Sequence, residues 1–375
     1  MKKIIVASDS FKGSLSSAEV AAAVAEGVRD VYPECKVVCL EAGDGGEGTS
    51  GALMKALGGS VVGCKVHDPL MRPIIADYGI SADGRTAVID MAAASGLTLL
   101  RSEERNPLLT TTFGTGEMIA DALRRGCRRV IVGLGGSATN DGGTGMLTAL
   151  GIRFLNARGE VLPGTGESLE KIVCADCSGA LTGLAAAEFI AACDVESPLC
   201  GPRGAAYVYA PQKGADAAAT EALDRGLRNF GEIAETVYGH GILEADGAGA
   251  AGGAGAGMMA YLHARMVPGA ELLLDALDFD RLIADADLVI TGEGRMDEQT
   301  LMGKLPLRVL RRAAAHGVPV IALAGSVSVA DNPGFAAIAA VSPDGYPLEI
   351  AMKPEVAFRN LRRTAAWAVL AISHS

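Results

Sequence analysis

The sequence predicts an α/β protein whose parallel sheets are covered by helices on both faces. Short β-branched runs such as KKIIVASDS are followed by helix-like segments such as AEVAAAVAEGVRD. The same alternation returns near the other end, where DLVITGEGR, PLRVLRRAAAHG and VPVIALAGS follow one another. Continuous apolar strands that alternate with helices are typical of parallel sheets buried on both sides.

The two ends of the chain share this alternation, whereas the middle has a different, glycine-rich texture. Residues 1–80 and 280–375 therefore form one predicted domain that is discontinuous in sequence, and residues 81–279 form an inserted second α/β domain. Ligand sites are common where two domains meet. We expect the active site in the cleft between these two domains.

Acidic or hydroxyl-bearing residues follow the predicted strands of the discontinuous domain. In open parallel sheets, ligands bind beyond the carboxyl ends of the strands. Carboxylates that recur at strand ends are therefore candidate site residues, and a site is expected at this edge. The strand-end positions are Asp9, Asp44, Glu293, Ser326 and Asp344.

The composition limits the class of protein. The chain has 375 residues, 49% of them apolar, and a formal net charge of −11. Nucleic acid and anionic membranes repel a net anion, so neither is an expected partner. No apolar run approaches the length of a membrane span, and the start, MKKIIVASDSFKG, lacks the apolar region of a signal peptide. We expect a cytoplasmic protein.

Eight cysteines are spread through the chain, most of them inside apolar segments. This pattern indicates buried, reduced thiols. Cys174 and Cys177 form a close pair, but the next two, Cys193 and Cys200, are more widely spaced than the second pair of a structural zinc site. We expect these cysteines to pack in the interior without binding a metal.

The segment GLGGSATNDGGTGM, at 133–146, is predicted to be the loop between a strand and a helix. Its glycines imitate a dinucleotide-binding fingerprint, but its hydroxyls, amide and aspartate are not needed in a nicotinamide site. A loop whose backbone amides and hydroxyls surround a phosphate fits better. The plain alternative is a tight turn whose side chains cap the next helix.

A second glycine fingerprint, Gly247 to Gly252, is weaker because the segment before it is a poor strand. It is equally well explained as a loop that lets two backbones pack closely. The sequence contains no G-x-x-x-x-G-K-[ST] motif, so nucleoside triphosphate would have to be bound without a P-loop.

Cations in loops beside glycines and carboxylates are the expected counter-charges of phosphates, because phosphoryl transfer depends on positive charge and positioning. Four stand out: Lys12, Lys213, Arg295 and Lys304. The five histidines share no motif with a serine or a cysteine, which argues against a hydrolytic triad.

A longer set of segments resembles the type-1 glycerate kinase family over nearly the whole chain. The segments are DSFKGSLS at 9–16, GDGGEGT at 43–49, AAASGL at 92–97, TTFGTGE at 111–117, the loop at 133–146, ACDVESPLCG at 192–201, APQKGA at 210–215, GAGAAGGAGAGM at 247–258 and ITGEGRMDEQTLMGK at 290–304. The resemblance implies ATP-dependent, magnesium-assisted phosphorylation of D-glycerate to a phosphoglycerate. The 2- and 3-hydroxyls both stay open as the attacking group, and we favour 2-phospho-D-glycerate as the product over 3-phospho-D-glycerate. The resemblance also implies a flavodoxin-like domain with an inserted second domain.

Departures from the family pattern are small. Ser8 stands where proline is usual, Gly43 where alanine is usual, and Tyr209-Ala210 where Phe-Gly is common. These positions lie beside the acids and the lysine, so the family assignment is unaffected. They bear on fine substrate preference.

Charge suggests roles for the catalytic residues, because one anion must attack another while its hydroxyl loses a proton. Asp194 is the candidate base or hydroxyl-orienting group, with Asp44 as the competing choice. Lys12 is expected at the transferring phosphoryl group. Asp141 or Glu293 would hold magnesium or the ribose.

The remaining candidates are binding residues. The substrate set is Ser10, Thr112, Arg295 and Lys213, and the nucleotide and phosphate set is Gly135, Gly136, Ser137, Asn140, Glu293 and Lys304. In this interpretation the glycerate carboxylate would be bound by Arg295 and Thr112.

Two other classes stay open on the residues alone. A nicotinamide-dependent hydroxy-acid dehydrogenase would explain the glycine loops, but not the four loop cations. A non-catalytic phosphometabolite-binding protein would explain the phosphate loop, and it would bind without turnover. The sequence leaves the oligomeric state open, a homodimer included.

Overall fold

The computed structural model describes residues 1–41, 49–298, 300–342 and 345–373. The predicted strand-end residues Asp44 and Asp344 lie outside these ranges. The strands are, in chain order, β1 (Lys3–Ser8), β2 (Lys36–Glu41), β3 (Ser60–His67), β4 (Pro73–Ile80), β5 (Thr86–Asp90), β6 (Arg129–Gly133), β7 (Arg153–Leu155), β8 (Cys174–Asp176), β9 (Glu188–Ala192), β10 (Arg265–Val267), β11 (Leu288–Met296), β12 (Val320–Val327) and β13 (Ala337–Ala340).

The helices follow the same numbering. They are α1 (Ser17–Val31), α2 (Thr49–Ala56), α3 (Ala92–Ser95), α4 (Phe113–Arg124), α5 (Thr144–Ala149), α6 (Ala205–Tyr209), α7 (Ala217–Tyr238), α8 (Ala250–Leu262), α9 (Gly269–Ala276), α10 (Phe279–Ile283), α11 (Leu305–Ala315), α12 (Leu348–Ala351) and α13 (Pro354–Ser373). Short 3-10 turns lie at Leu97–Leu99, Ser102–Glu104, Gly166–Lys171, Leu184–Ala186, Pro211–Lys213 and Thr300–Met302. Within the described ranges, no helix combines the length and apolar character needed to cross a bilayer.

The chain divides into two compact units. The first unit is Met1–Ala52 together with Gly269–Ser375, and the second is Leu53–Pro268. Each unit has its own cluster of buried apolar side chains. The α/β class predicted from the sequence is confirmed, because each unit contains parallel strands joined through helices.

The sheet of the first unit combines strands from both ends of the chain. Its order, within the described residues, is β13-β12-β11-β1-β2, and every neighbouring pair is parallel. Helix α1 begins at a capping box in which the Ser16 hydroxyl accepts from the Glu19 amide and the Glu19 carboxylate accepts from the Ser16 amide. A Cβ on Gly27 would lie 2.2 Å from the Arg362 carbonyl oxygen, so α1 and α13 pack with their backbones close together.

The larger sheet of the second unit has the order β10-β9-β6-β5-β4-β3 in the described part of that unit. Strands β10, β9, β6 and β5 are parallel, whereas β4 and β3 form an antiparallel hairpin on β5. The register places Asp90, Gly133 and Ala192 side by side. The β3–β4 turn lies at the edge where those three strands end, because β4 runs opposite to β5.

Candidate active site

The loop after β6 is the centre of the candidate site in the second unit. It leaves the sheet at Gly133 and enters α5 at Thr144. Gly142 and Gly143 have φ of 63° and 76°, a left-handed conformation that side chains other than glycine rarely adopt. A Cβ on Gly135 would meet nothing within 4 Å, so the first half of the loop borders open space.

Asp141 organises the second half of this loop from a fully buried position. Its Oδ2 accepts from the Thr112 amide at 2.8 Å, the Thr112 hydroxyl at 2.8 Å and the Gly145 amide at 3.2 Å. Its Oδ1 accepts from the Gly143 amide at 3.1 Å. Burial raises the pKa of the Asp141 carboxyl, while these hydrogen bonds act in the opposite direction.

Lys213 supports the first half of the loop and is also buried, with 2% of its surface exposed. Its Nζ donates to the Ser137 hydroxyl at 2.8 Å and to the Thr139 carbonyl at 2.7 Å. Burial lowers the pKa of Lys213 to about 7, and the nearby Asp141 charge raises it in part. The loop therefore contains a buried carboxylic group and is held by a buried lysine that is protonated only in part near pH 7.

Two other predicted segments bond directly to this loop. In the segment at 92–97, the Ser95 carbonyl accepts from the Ala138 amide at 2.8 Å, and the Leu97 amide donates to Gly136. In the glycine-rich segment at 247–258, the Gly252 carbonyl accepts from the Gly142 amide at 3.0 Å. A Cβ on Gly252 would lie 2.1 Å from the Thr139 carbonyl oxygen, so this segment packs backbone against backbone. The second glycine fingerprint is thus a packing element of the first loop.

Two consecutive residues of the loop bury polar side-chain atoms without a partner. Thr139 and Asn140 are both fully buried. The Thr139 hydroxyl and both polar atoms of the Asn140 amide have no hydrogen-bond partner within the described structure. Unpaired buried polar groups are rare, and they commonly mark an ion, a water or a ligand that the protein chain does not supply.

Asp194 lies just past the end of β9, next to the strand that leads into the loop. The Ala192 carbonyl accepts from the Leu134 amide at 3.2 Å, which ties the two chain segments together. Asp194 itself is exposed. A carboxylate at this place can reach solvent and any ligand that lies along the carboxyl edge of the sheet.

The first unit places a second group of candidates around the loop from Asp9 to Ser16. Ser10 and the residues from Lys12 to Ser16 line an open hollow of about 530 Å³. The buried Asp9 carboxylate accepts from the Ser10 amide at 2.7 Å. The Ser14 hydroxyl oxygen is buried and has no partner in the described ranges. Lys12 is exposed.

Glu293 lies on β11, the strand beside β1, and is largely buried. Its Oε1 accepts from the Thr300 hydroxyl at 2.6 Å, and its Oε2 lies 3.7 Å from Lys304 Nζ. Arg295 is exposed, and its Nε lies 3.4 Å from Asp297 Oδ2. Strand β11 therefore presents a paired carboxylate and an exposed guanidinium near one another in sequence.

The described structure places most of the predicted site residues in two groups, one in each unit. One group belongs to the second-unit loop: Gly135, Gly136, Ser137, Asn140, Asp141, Thr112 and Lys213. The other lies in the first unit: Ser10, Lys12, Glu293, Arg295 and Lys304. Asp44 is outside the described residues.

The hydroxyl of Thr112, predicted to bind a carboxylate, is instead engaged within the loop network. It donates to Asp141 and accepts from the Met146 amide at 2.8 Å.

Some residues of the network were not singled out from the sequence. Thr110 donates to the Ala138 carbonyl at 2.9 Å, and Ser95 bonds to Thr115 at 2.8 Å. Thr300 donates to Glu293. Ser95, Thr115 and Thr300 lie inside segments that carry the family resemblance, so the only available signal was their membership of those segments.

The carboxylate and hydroxyl oxygens of the candidate residues in both units suit magnesium better than a softer metal. The described part of the chain contains no group of three or more His, Cys, Asp or Glu side chains placed to hold a metal ion. Magnesium commonly uses only one or two protein carboxylates together with substrate phosphates. The donor set is therefore compatible with a magnesium ion that binds with a nucleotide.

The fold and the loops define an α/β protein with a glycine-rich loop after β6, contacted by Lys213, and a lysine-bearing loop after β1, features that are typical of phosphate-handling enzymes. The profile described as "Glycerate kinase family" matches residues 4–373. The chain belongs to the glycerate kinase family and is accordingly a kinase.

Individual relatives agree with this placement. The chain is 46% identical over 368 residues to a protein named glycerate kinase from Bacillus subtilis (strain 168), which covers 97% of this chain and 96% of the relative. It is 44% identical over 326 residues to a protein named glycerate 2-kinase from Escherichia coli (strain K12), with 87% and 86% covered. A crystal structure from Salmonella typhimurium LT2, of a protein provisionally named glycerate kinase 2, has a TM-score of 0.86 at 42% identity and covers 100% of this chain and 98% of that one.

Proposed function

We propose that this chain transfers the terminal phosphoryl group of ATP to the 2-hydroxyl of D-glycerate and releases ADP and 2-phospho-D-glycerate. The observation that carries the proposal is the assembly of predicted segments on one loop around Asp141 and Lys213. Family membership supports the kinase activity. The choice of the 2-hydroxyl is supported by the relative named glycerate 2-kinase.

Phosphate binding is assigned to the exposed half of the second-unit loop. Gly135 and Gly136 are exposed, and open space lies beside Gly135. Backbone amides at such a turn can approach phosphate oxygens without a side chain in the way. Behind them, Lys213 holds Ser137, and a bound phosphate would favour its charged form in a poorly solvated place, where charge acts more strongly than in water.

The attacking hydroxyl needs a group that receives its proton, and Asp194 is our choice. It is an exposed carboxylate at the carboxyl edge of the second-unit sheet. As the 2-hydroxyl oxygen bonds to the γ-phosphorus, the bond from that phosphorus to the β–γ bridging oxygen breaks, and the hydroxyl proton passes to the base. Asp44 remains the competing choice for the base.

The cations of the first unit would neutralise phosphate and substrate charge. Lys12 lines the hollow after β1, with Ser10 beside it. Lys304 is close to Glu293, and Arg295 is exposed, so its guanidinium can turn from Asp297 toward an anion such as a carboxylate. Removal of such a cation typically weakens transition-state binding more than ground-state binding.

Magnesium, when bound, would neutralise charge on the β- and γ-phosphates. Glu293 and Asp9 are the residues best suited to hold it, because Asp9 directly follows β1, Glu293 lies on the neighbouring parallel strand β11, and both offer carboxylate oxygens. Asp141 suits this role less well, since its carboxylate already accepts four hydrogen bonds inside the loop.

A cytoplasmic location completes the proposal, and it is supported by the need for ATP as a co-substrate. The homodimer expected from the sequence stays a prediction, and sedimentation of the purified chain measures it.

The direct test is ADP formation by the purified chain. ADP should form when ATP, magnesium and D-glycerate are all present, and only at background rate when D-glycerate is left out. ATP binding without glycerate-dependent ADP formation would overturn the proposal and favour a phosphometabolite-binding protein. NADH binding with hydroxy-acid oxidation would favour the dehydrogenase.

A further inference from the structure

The side-chain amide of Asn140 is a buried group with no role in the loop network. Asn140 is fully buried, and neither its Oδ1 nor its Nδ2 has a hydrogen-bond partner among the described residues. An amide carries donors on Nδ2 and an acceptor on Oδ1, and leaving both unpaired in the interior is unfavourable. Asn140 is therefore suited to bond with a small molecule that the chain does not supply.

The loop holds the backbone of Asn140 on both sides. On one side, the Thr139 carbonyl accepts from Lys213 at 2.7 Å. On the other, the Asp141 carboxylate is fixed by Thr112. A Cβ on Gly252 would lie 2.6 Å from the Asn140 Cα, so the glycine-rich segment packs directly on it. A polar group held this firmly by its neighbours is suited to selective binding.

The donor and acceptor of the amide limit the chemistry of the ligand. A phosphate dianion offers only acceptors, and it would leave Oδ1 of Asn140 unpaired. A hydroxy acid satisfies both atoms, because its carboxylate accepts from Nδ2 while a hydroxyl donates to Oδ1.

We propose that Asn140 binds the carboxylate and the 3-hydroxyl of D-glycerate, and that it thereby determines the preference for a dihydroxy acid. This assignment rests on the proposed function, in which the 2-hydroxyl attacks ATP and the 3-hydroxyl is left unchanged. The sequence placed Asn140 among the nucleotide- and phosphate-binding residues, and this proposal assigns it to the organic acid instead.

The test compares D-glycerate with D-lactate, which is also a D-2-hydroxy acid but lacks the 3-hydroxyl. Calorimetry on the wild-type chain should show tighter binding of D-glycerate. In N140A, that preference should largely disappear, and KM for D-glycerate should rise about tenfold to a hundredfold, as expected for lost buried hydrogen bonds. KM for ATP should stay within about twofold.

Two further variants control for the case in which N140A fails to fold. N140D keeps the size of the side chain, and its negative charge should weaken D-glycerate binding even if N140A is unstable. N156A removes an asparagine of the same unit whose amide is already bonded in a surface turn to Glu160 and Arg158. N156A should leave the preference for D-glycerate over D-lactate unchanged.

The other outcomes overturn the inference in distinct ways. A rise in KM for ATP alone would make Asn140 part of a nucleotide site. Unchanged binding of both acids in N140A and N140D would leave an ordered water as the partner of the amide. If the wild-type chain forms no ADP from D-glycerate, the proposed function fails, whereas calorimetry with the two acids still measures the role of Asn140 without turnover.

Discussion

At the scale of single residues, the second-unit loop combines a buried carboxylic group and a buried ammonium. Asp141 accepts four hydrogen bonds, and Lys213 donates two. Burying each of these ionisable groups is unfavourable for folding, because each loses its hydration. Their positions are best explained by the need to hold the loop and to place a positive charge where phosphate is proposed to bind.

Asp194 carries the clearest prediction for catalysis. D194N should lower kcat about 10²- to 10⁴-fold, the range expected for loss of a general base. The melting temperature should hardly change, because Asp194 is exposed. Steady-state kinetics together with thermal unfolding provide the measurement.

The control is E196Q, which removes an exposed carboxylate only two residues away. E196Q should turn over like the wild type. A D194N variant with near-normal kcat would remove Asp194 from the mechanism and return attention to Asp44.

Lys213 carries a prediction for the pH dependence of stability. Burial lowers the pKa of Lys213 to about 7 in the folded chain, whereas the pKa of an unfolded lysine is about 10.4. Between those values the unfolded chain binds more protons, so this lysine makes the free energy of unfolding rise with pH. The contribution is present above the unfolded pKa and is lost as the pH falls toward 7.

K213M should remove that contribution. The difference in free energy of unfolding, wild type minus K213M, should grow between about pH 7 and pH 10, by no more than ~4 kcal/mol. Denaturant unfolding at several pH values measures it, and K65M on the exposed face of β3 is the control. If the free energies of unfolding of wild type and K213M vary with pH in parallel, then the pKa of Lys213 does not differ between the folded and the unfolded chain.

Residue types and spacing located most of these side chains but not their bonds. The cations and the NDGG segment stand out in the sequence because glycines surround them. That Thr112 bonds to Asp141 could not be predicted, since these residues are far apart in sequence and meet only through the fold. The unpaired amide of Asn140 likewise depends on packing by the segment at 247–258.

At the scale of elements, the loop after β6 is shaped by its contact with the glycine-rich start of α8. Gly252 has φ of 69°, and a Cβ there would lie 2.1 Å from the Thr139 carbonyl oxygen. Both the backbone conformation and the close approach require glycine at this position. The contact therefore fixes the position of the Thr139–Asn140 backbone relative to the start of α8.

G252A should destabilise the chain by about 2–4 kcal/mol and should reduce kcat/KM for D-glycerate, because strain and a clash add together. The matched control is G159A, whose φ of 76° is similar and whose Cβ would meet nothing within 4 Å. G159A should cost only about 1 kcal/mol and leave activity intact. Equal losses in both variants would show that the contact with Thr139 does not matter.

The alternation of strands and helices was predictable because parallel strands are apolar throughout. The hairpin β3–β4 was not predicted. Its strands have mixed burial, with exposed Val61 and Ile75 beside buried Val66 and Tyr78, so no clean apolar run distinguishes them. Strand β3 pairs with β4, and the end of β4 pairs with β5; this order depends on the topology of the whole sheet and not on any local sequence pattern.

At the scale of the whole molecule, the chain consists of two units with separate buried cores. The second unit is one continuous segment, Leu53–Pro268, whereas the first is made of two segments. A continuous segment with its own core should fold without the rest of the chain. That these units are independent domains is a prediction.

Expression of residues 53–268 alone measures this. The segment should show cooperative thermal unfolding and dispersed amide NMR signals, and it should retain D-glycerate binding by calorimetry if Asn140 acts as proposed. A segment that stays unfolded or aggregates would contradict independent folding of the second unit.

The measurement that tests the central claim most directly is phosphorus NMR of the product formed from ATP, magnesium and D-glycerate. The account predicts ADP and one new phosphomonoester signal that coincides with authentic 2-phospho-D-glycerate. A signal at the position of 3-phosphoglycerate would contradict the choice of hydroxyl and the role given to Asn140. No new phosphomonoester at all, with D-glycerate present and ATP intact, would contradict the proposed activity itself.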